Sequence, residues 1–148
     1  MLSSTLPMRL KPQTFALTTV THNRLRIFQR TTNAELLLSI LFRHREQSRY
    51  LLHGFVIMPD HLHIFLTPAE SIERSAQLIK GGFSFAIRNQ FKGAIWQEGF
   101  HEHRVRDGED FHNQLLYIAN NPARKGYADH PFVHTAFPQN IDPQPAHL

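Results

Sequence analysis

The segment MPDHLHIFL, residues 58–66, decides the fold prediction because a Pro-Asp turn here joins two apolar runs. The run YLLHGFVIMP (50–59) leads into the turn and HIFLT (63–67) follows it, and both have strand-forming composition. Side chains along a strand alternate between faces, so His61 and His63 are expected to point the same way, opposite to Leu62. Two imidazoles about 7 Å apart along a strand can bind one divalent ion. Two half-exposed histidines on an ordinary sheet surface are the simpler alternative.

Strand-type and helix-type segments alternate outside this hairpin. The predicted strands are residues 15–21 and 101–106, and the predicted helices are residues 31–47, 71–91 and 107–122. The first helix has Thr and Asn capping candidates, and the last stops before Pro122. The helix at 71–91 opens at Ser71 and is weakened by Gly81-Gly82. The order β-α-β-β-α-β-α predicts an α+β fold. It resembles the ferredoxin-like split β-α-β antiparallel sheet with helices on one face and an additional C-terminal helix carrying Tyr117.

The chain length and composition favour one folded domain. The 148 residues suit a single core, with 1–12 as an N-terminal lead-in, 13–132 as the domain and 133–148 as a Pro-rich tail that is irregular or mobile. There are no cysteines, which excludes disulfides and thiolate metal sites and fits a reducing cytosol. The N-terminus lacks a signal-peptide core, and no apolar run approaches the roughly 18 residues that span a bilayer.

The charge balance permits nucleic-acid binding without demonstrating it. The net charge is +4, and 12 of the 16 basic residues are arginine, which favours forked contacts with phosphate.

Histidine is unusually frequent, with 11 residues in the chain. Chance at that frequency gives about one His-x-His triplet, so the HLH of residues 61–63 is weak evidence by itself. The second triplet places His101 and His103 on one strand face with Glu102 opposite. We expect no metal there, because no matching carboxylate or tyrosine is evident nearby. Trp96 is expected to pack rather than to stack on an unpaired base.

Tyr117 and Asn121 are four residues apart and therefore share one face of the last predicted helix. A tyrosine hydroxyl can act as a covalent nucleophile, and an amide oxygen can complete a metal-ligand set. A tyrosine on a helix is usually a packed residue, so the combination with His61 and His63 is more specific than either part.

Four segments together resemble a known family. THNR (21–24), VIMPDHLHIFL (56–66), IWQEGFHEHRVR (95–106) and YIANNPARKGY (117–127) are similar to the REP-associated tyrosine transposases, relatives of the single-tyrosine insertion-sequence transposases in the HUH endonuclease superfamily. The likeness runs from about residue 13 to 132. His61-Leu62-His63 is the His-hydrophobic-His motif of that superfamily.

The resemblance implies a role for each motif residue. His61 and His63 would ligate Mg²⁺ or Mn²⁺, with Asn121 as the third ligand, although the adjacent Asn120 could be confused with it. Tyr117 would attack a phosphodiester in single-stranded DNA, leaving a 5′-phosphotyrosine and a free 3′-hydroxyl. Asp60 stands where the family often has Asn, and Glu102 where it often has Asp. We expect neither to touch the presumed metal ligands.

The resemblance also implies a partner, a hairpin of REP type with adjacent single-stranded bases. Basic residues near the site are candidates for phosphate contacts: Arg24, Arg26, Arg104, Arg106, Arg124 and Lys125. A bacterial cytoplasmic location, at the nucleoid when bound to DNA, fits this interpretation, and so does either a homodimer or a monomer. The alternatives are a domesticated protein that binds hairpins without cutting, and a structural domain whose histidines have no role.

Overall fold

One antiparallel sheet organises the chain. The computed structural model describes residues 11–124, 133–134 and 141–148, with side chains for 11–121 and 141–148. The elements are β1 (Thr14–Val20), α1 (Thr31–Glu46), β2 (Tyr50–Met58), β3 (His61–Pro68), α2 (Ile72–Ala86), β4 (His101–Val105), α3 (Gly108–Arg124) and β5 (Val133–His134). The described strands form a single sheet in the order β4-β1-β3-β2-β5. The first four strands and their two connecting helices confirm the predicted split β-α-β sheet.

Alternation along β3 separates two apolar layers. Leu62, Ile64 and Leu66 belong to a large buried cluster that also contains apolar residues of α1 and α2. Phe65 belongs to a second cluster with Phe111 and Ile118 of α3. The helices α1 and α2 therefore cover one face, and the additional helix α3 covers the other, which is the face of His61 and His63.

The hairpin at residues 58–66 has a sharper turn than predicted. Only Pro59 and Asp60 separate the two strands, and β3 begins at His61 rather than at residue 63. Both histidines therefore lie inside the strand, where the paired backbone fixes their direction. His61 pairs with Met58 on one side and with Val20 on the other.

The helix starts differ from one another in their capping. Ser71 caps α2 as predicted, since its hydroxyl accepts from the backbone N–H of Arg74 at 3.0 Å. No side chain caps α1, so the predicted Thr and Asn caps were wrong. Asn33 instead donates its side-chain amide to the carbonyl of Ile27, which holds the preceding turn.

The double glycine does not interrupt α2, which ends at Ala86 rather than at residue 91. A Cβ at Gly82 would lie 3.3 Å from Cγ2 of Ile40, whereas a Cβ at Gly81 would meet nothing within 4 Å. Gly82 therefore lies where α1 and α2 approach closely, and packing of the apolar face outweighs the low helix propensity of glycine.

The tyrosine helix is longer than predicted at its C-terminal end. It begins at Gly108, after Asp107, whose carboxylate accepts from the N–H of Asp110 at 2.8 Å. It continues past Pro122 to Arg124, so the predicted stop before Pro122 was wrong. A proline in a helix removes one backbone donor, and the hydrogen bonds of the preceding turns outweigh that loss here.

Trp96 packs against the core, as predicted. Its ring centroid lies 5.7 Å from that of Phe28 and 5.9 Å from that of Phe83. Its indole N–H donates to the carbonyl of Lys80 at 3.0 Å. These contacts fix the chain that leads from α2 to β4.

Residues 141–148 contain no helix or strand, yet they make specific contacts with the sheet. Asp142 forms an ion pair with Arg45 of α1, and its carboxylate also accepts the N–H of Leu52 at 2.8 Å. Leu148 packs against the cluster beneath α3. Among the described residues, no helix combines the length and apolar character that crossing a bilayer requires. The predicted domain limits stay a prediction.

Candidate active site

His61 and His63 lie side by side on the face of the sheet that α3 covers. Their ring centroids are 4.8 Å apart and the rings are nearly perpendicular, at 81°. His61 is buried, with 8% of its surface exposed, and His63 is half-buried. The predicted common direction of the two imidazoles is confirmed, and their burial does not match a pair on an open sheet surface.

Asp60 orients His61. Its Oδ1 lies 2.7 Å from Nδ1 of His61, and its Oδ2 accepts from Arg24 at 3.2 Å. The expectation that Asp60 touches no presumed ligand was wrong, because the tight turn folds its side chain back onto the next residue. Burial alone would raise the pKa of Asp60, but the hydrogen bonds and charges of His61 and Arg24 outweigh burial and lower that pKa.

Thr18 holds the second imidazole. Its hydroxyl lies 2.6 Å from Nδ1 of His63, its cross-strand neighbour in the β1–β3 register. Sequence reasoning missed this residue, because the pairing depends on a register between strands that are 45 residues apart. With Nδ1 of both rings engaged, a metal ion would be coordinated through Nε2 of each.

The THNR segment is hydrogen-bonded to the Pro-Asp turn. The N–H of Thr21 donates to the carbonyl of Asp60 at 2.9 Å, and its hydroxyl donates to the carbonyl of Leu25 at 2.7 Å. Asn23 and Arg24 follow in the left-handed region, at φ 54° and 52°. This turn brings Arg24 to Asp60, which explains why THNR and the histidine hairpin occur together.

Tyr117 of α3 reaches the histidine pair within the same chain. Its ring centroid lies 5.6 Å from that of His63, with the rings at 84°. The Tyr117 side chain is partly open, since 40% of the residue surface is exposed. Ile118, the next residue, is buried in a cluster with residues of β2 and β3, and this packing holds α3 against the sheet beside Tyr117.

Asn121 lies one helical turn after Tyr117 and is 1% exposed, whereas Asn120 is exposed. Its Oδ1 is buried and has no hydrogen-bond partner among the described residues. An unsatisfied buried amide oxygen costs about 1–3 kcal/mol, so an unfilled acceptor here points to a missing partner. Of the two asparagines, only Asn121 has the burial expected of a ligand.

The donor set fits a divalent cation. Two imidazole nitrogens can ligate a divalent transition-metal ion, and an amide oxygen with phosphate and water oxygens would complete a set for Mn²⁺ or Mg²⁺. Within residues 11–124, 133–134 and 141–148, no group of three or more His, Cys, Asp or Glu side chains could hold a metal ion. The proposed set contains two such residues and an amide, so its third ligand is of a different type.

The second histidine triplet joins the same site. Nε2 of His103 lies 2.8 Å from Oδ2 of Asp110, at the start of the tyrosine helix. The expectation that no carboxylate or tyrosine lies near this triplet was therefore wrong. A pocket of about 190 Å³ separates β4 from α3, and its lining includes His63, His101, His103 and Tyr117.

Comparison with known proteins identifies the family. The family model for IS200-like transposases matches residues 12–121, which include both histidine triplets, Tyr117 and Asn121. The chain belongs to the IS200-like transposase family.

Two curated proteins similar to this chain are named as REP-associated tyrosine transposases, one of them as a putative one. A REP-associated tyrosine transposase of Escherichia coli (strain K12) is 26% identical over 111 residues, which cover 69% of this chain and 64% of that protein. A relative from Haemophilus influenzae is 33% identical over 87 residues, 49% of each chain. The chain thus spans from about half to just under two thirds of the length of these curated relatives.

A solved structure of the REP-associated tyrosine transposase bound to a REP hairpin has the same fold. It superposes with a TM-score of 0.72 at 25% identity, covering 84% of this chain and 77% of that one. The likeness confirms the α+β fold and the family resemblance inferred from the four motifs.

The basic residues of this IS200-like transposase are spread unevenly around the site. Arg24 lies at the edge of the site, where it donates to Asp60, and Arg26 donates to the side-chain oxygen of Gln29 at 2.9 Å. Arg104 and Arg106 are exposed at the end of β4. The side chain of Arg124 and all of Lys125 lie outside the described residues, so their predicted phosphate contacts stay a prediction.

Proposed function

We propose that this protein is a metal-dependent transposase that cuts single-stranded DNA beside a hairpin and transfers the strand through a 5′-phosphotyrosine on Tyr117. One observation carries the proposal, which is the contact between the Tyr117 ring and His63, itself 4.8 Å from His61. The proposed nucleophile and the two proposed metal ligands are thus neighbours within one chain, on two different elements of the fold.

In this proposal His61, His63 and Asn121 hold Mg²⁺ or Mn²⁺. The ion supplies Lewis-acid stabilisation of charge on the phosphate oxygens. Asp60 and Thr18 hold the two rings through Nδ1 and keep them in one orientation. The buried Oδ1 of Asn121 gains the partner that it lacks among the described residues.

In this proposal Tyr117 is the covalent nucleophile. Its partial exposure lets a DNA strand approach, while the packing of Ile118 fixes the helix against the sheet. Attack by the phenolic oxygen forms a phosphotyrosine and releases a 3′-hydroxyl. The link conserves the energy of the phosphodiester, so the 3′-hydroxyl of a strand can later displace the tyrosine without ATP.

The proposed substrate, hairpin DNA with adjacent single-stranded bases, is supported by the similar proteins and by the exposure of Tyr117. The structural neighbour is bound to a REP hairpin, and we propose a hairpin of that kind as the partner of this chain. Exposed arginines such as Arg24, Arg104 and Arg106 would contact the DNA backbone. Such an enzyme would act in the cytoplasm, at the nucleoid.

The test is covalent capture. The protein is incubated with single-stranded oligonucleotides that carry hairpins, with Mn²⁺, Mg²⁺ or EDTA, and the products are separated under denaturing conditions. We expect a DNA–protein adduct that requires the metal ion. Tyr117→Phe should abolish the adduct and leave hairpin binding unchanged, since a phenyl ring keeps the packing and removes only the hydroxyl.

Two other results would contradict the proposal. Hairpin binding without any adduct, across a broad oligonucleotide set, would mark a domesticated binding protein. Unchanged Mn²⁺ affinity after His61→Ala would show that the histidine pair holds no metal. The homodimer stays a prediction, and sedimentation of the wild type with and without DNA tests it.

A further inference from the structure

The triplet at residues 101–103 has no role in the function proposed above. In the β1–β4 register His101 lies opposite Thr18 and His103 lies opposite Ala16. Thr18 in turn lies opposite His63 in the β1–β3 register. His101, His103 and His63 therefore share one face of the sheet, the face that carries Tyr117 above it.

His103 has a carboxylate partner on the tyrosine helix. Its Nε2 lies 2.8 Å from Oδ2 of Asp110, in the first turn of α3. Because a carboxylate only accepts, Nε2 carries the hydrogen and the neutral ring has its lone pair on Nδ1. Gln114, one turn further along, donates weakly to the other oxygen of Asp110 at 3.4 Å.

The same pocket contains both the oriented imidazole and the phenol. His103, Gln114 and Tyr117 all line the space of about 190 Å³ between β4 and α3. The space is large enough to hold water, so a proton can pass between the two groups through water in this pocket. His103 is open to this space, with 54% of its side chain exposed.

We propose that His103, oriented by Asp110, accepts the proton of the Tyr117 hydroxyl when a DNA strand is cut and returns it when the strand is rejoined. The inference rests on the proposed function. In cutting, the phenolic oxygen bonds to phosphorus and its proton moves to Nδ1 of His103. The phosphorus bond to the 3′ oxygen breaks, and that oxygen takes a proton from water. In rejoining, a 3′-hydroxyl attacks, loses its proton to water, and the leaving phenolate takes the proton from His103.

The other ionisable groups facing this pocket do not have the same arrangement. His63 is held through Nδ1 by Thr18 and belongs to the proposed metal site. Ala16 and Thr18 of β1 carry no ionisable group. The lining also includes His101 and Glu102 of β4, but among the described residues His101 has no carboxylate partner. Among these groups His103 alone has the histidine–carboxylate pairing typical of a general base.

The test measures the rate of adduct formation in a single turnover, with saturating hairpin DNA and Mn²⁺, over a range of pH. His103→Ala should slow the reaction about 100-fold or more, the usual contribution of general base catalysis, and its pH profile should lose one ionisation. Asp110→Asn should slow it less, because the imidazole remains. Imidazole added to the buffer should restore part of the His103→Ala rate, which a purely structural defect would not allow.

The controls separate this inference from the function on which it rests. His112→Ala, at an exposed position of the same helix, should react at the wild-type rate. Hairpin binding and Mn²⁺ binding should be unchanged in His103→Ala, since the side chain is largely exposed. If the wild type forms adducts and His103→Ala keeps its rate and pH profile, or His101→Ala is the impaired variant, only the inference is refuted. No adduct with wild type would refute both.

Discussion

Replacing Asp142 should destabilise the protein in a pH-dependent manner. Arg45 donates to its two carboxylate oxygens, at 3.0 Å from Nε and 2.9 Å from Nη2, and Leu52 N–H donates to Oδ2 at 2.8 Å. The Arg45 and Asp142 side chains are only 22% and 18% exposed, so little solvent screens the pair. Asp142→Ala removes three charge-assisted hydrogen bonds and leaves Arg45 partly buried without this partner.

The size of the effect follows from these contacts. Hydrogen bonds to charged groups contribute about 1.5–3 kcal/mol each, but the bonds share one carboxylate and part of the pair is hydrated. We therefore expect the free energy of unfolding to fall by about 2–3 kcal/mol at pH 7. For a chain of this length that corresponds to a decrease in Tm of about 6–12 °C.

The pH dependence follows from the sign of the pKa shift. Burial would raise the pKa of Asp142, but hydrogen bonds from Arg45 and Leu52 and the charge of Arg45 outweigh burial and lower it in the folded state. Its contribution is therefore complete above the unfolded carboxyl pKa, about 4, and is lost as the pH falls through the lower folded value. The difference between wild type and Asp142→Ala should shrink towards pH 3.

Urea unfolding followed by circular dichroism at pH 7, 5 and 3 measures this difference. Glu35→Gln, an exposed carboxylate on α1, is the matched control and should change the free energy of unfolding by less than about 0.5 kcal/mol. Equal stability of Asp142→Ala and wild type at pH 7, or a difference that stays constant down to pH 3, would refute the reasoning.

Two further predictions concern the metal site and the helix pair. Asp60→Ala should weaken Mn²⁺ binding about 10- to 100-fold, because Nδ1 of His61 loses its acceptor. Asp60→Asn keeps an acceptor and should change the affinity much less. Calorimetric titration of both variants with Mn²⁺ measures the difference. Equal affinities of the two variants would argue against this role for the carboxylate. Gly81→Ala should stabilise the protein by about 0.5–1 kcal/mol through the higher helix propensity of alanine in α2. Gly82→Ala should stabilise it less or destabilise it, because the added Cβ would lie 3.3 Å from Ile40. Thermal melts of the two variants check this, and a higher Tm for Gly82→Ala would contradict it.

Local periodicity was sufficient to predict the sheet and its faces. The alternation of His61, Leu62 and His63 predicts that the two imidazoles share one face of the sheet and that Leu62 lies on the other. The spacing of Tyr117 and Asn121 likewise fixes a common helical face. The four motifs then gave the family, because their order along the chain is more specific than any one of them.

The supporting contacts could not be predicted in the same way. Thr18 meets His63 across 45 residues and Arg45 meets Asp142 across 97, and neither register nor tail position is encoded in a local pattern. Helix ends were also misplaced, since Pro122 costs one hydrogen bond that the preceding turns outweigh. The contact of Asp60 with His61 was missed because an aspartate beside a proline in a tight turn is expected for its turn-forming preference, which hides any second role.

The most direct test of the central claim is to locate the DNA on the protein. The chain has three tyrosines, and Tyr50 is 2% exposed with its hydroxyl bonded to the carbonyl of Leu41. The adduct formed with a hairpin oligonucleotide and Mn²⁺ is digested with nuclease and protease, and the nucleotide-bearing peptide is sequenced by tandem mass spectrometry. The account predicts a nucleotide joined through its 5′-phosphate to Tyr117. A modification on Tyr127 or Tyr50, or cut DNA with a free 5′-phosphate and no modified peptide, would contradict it.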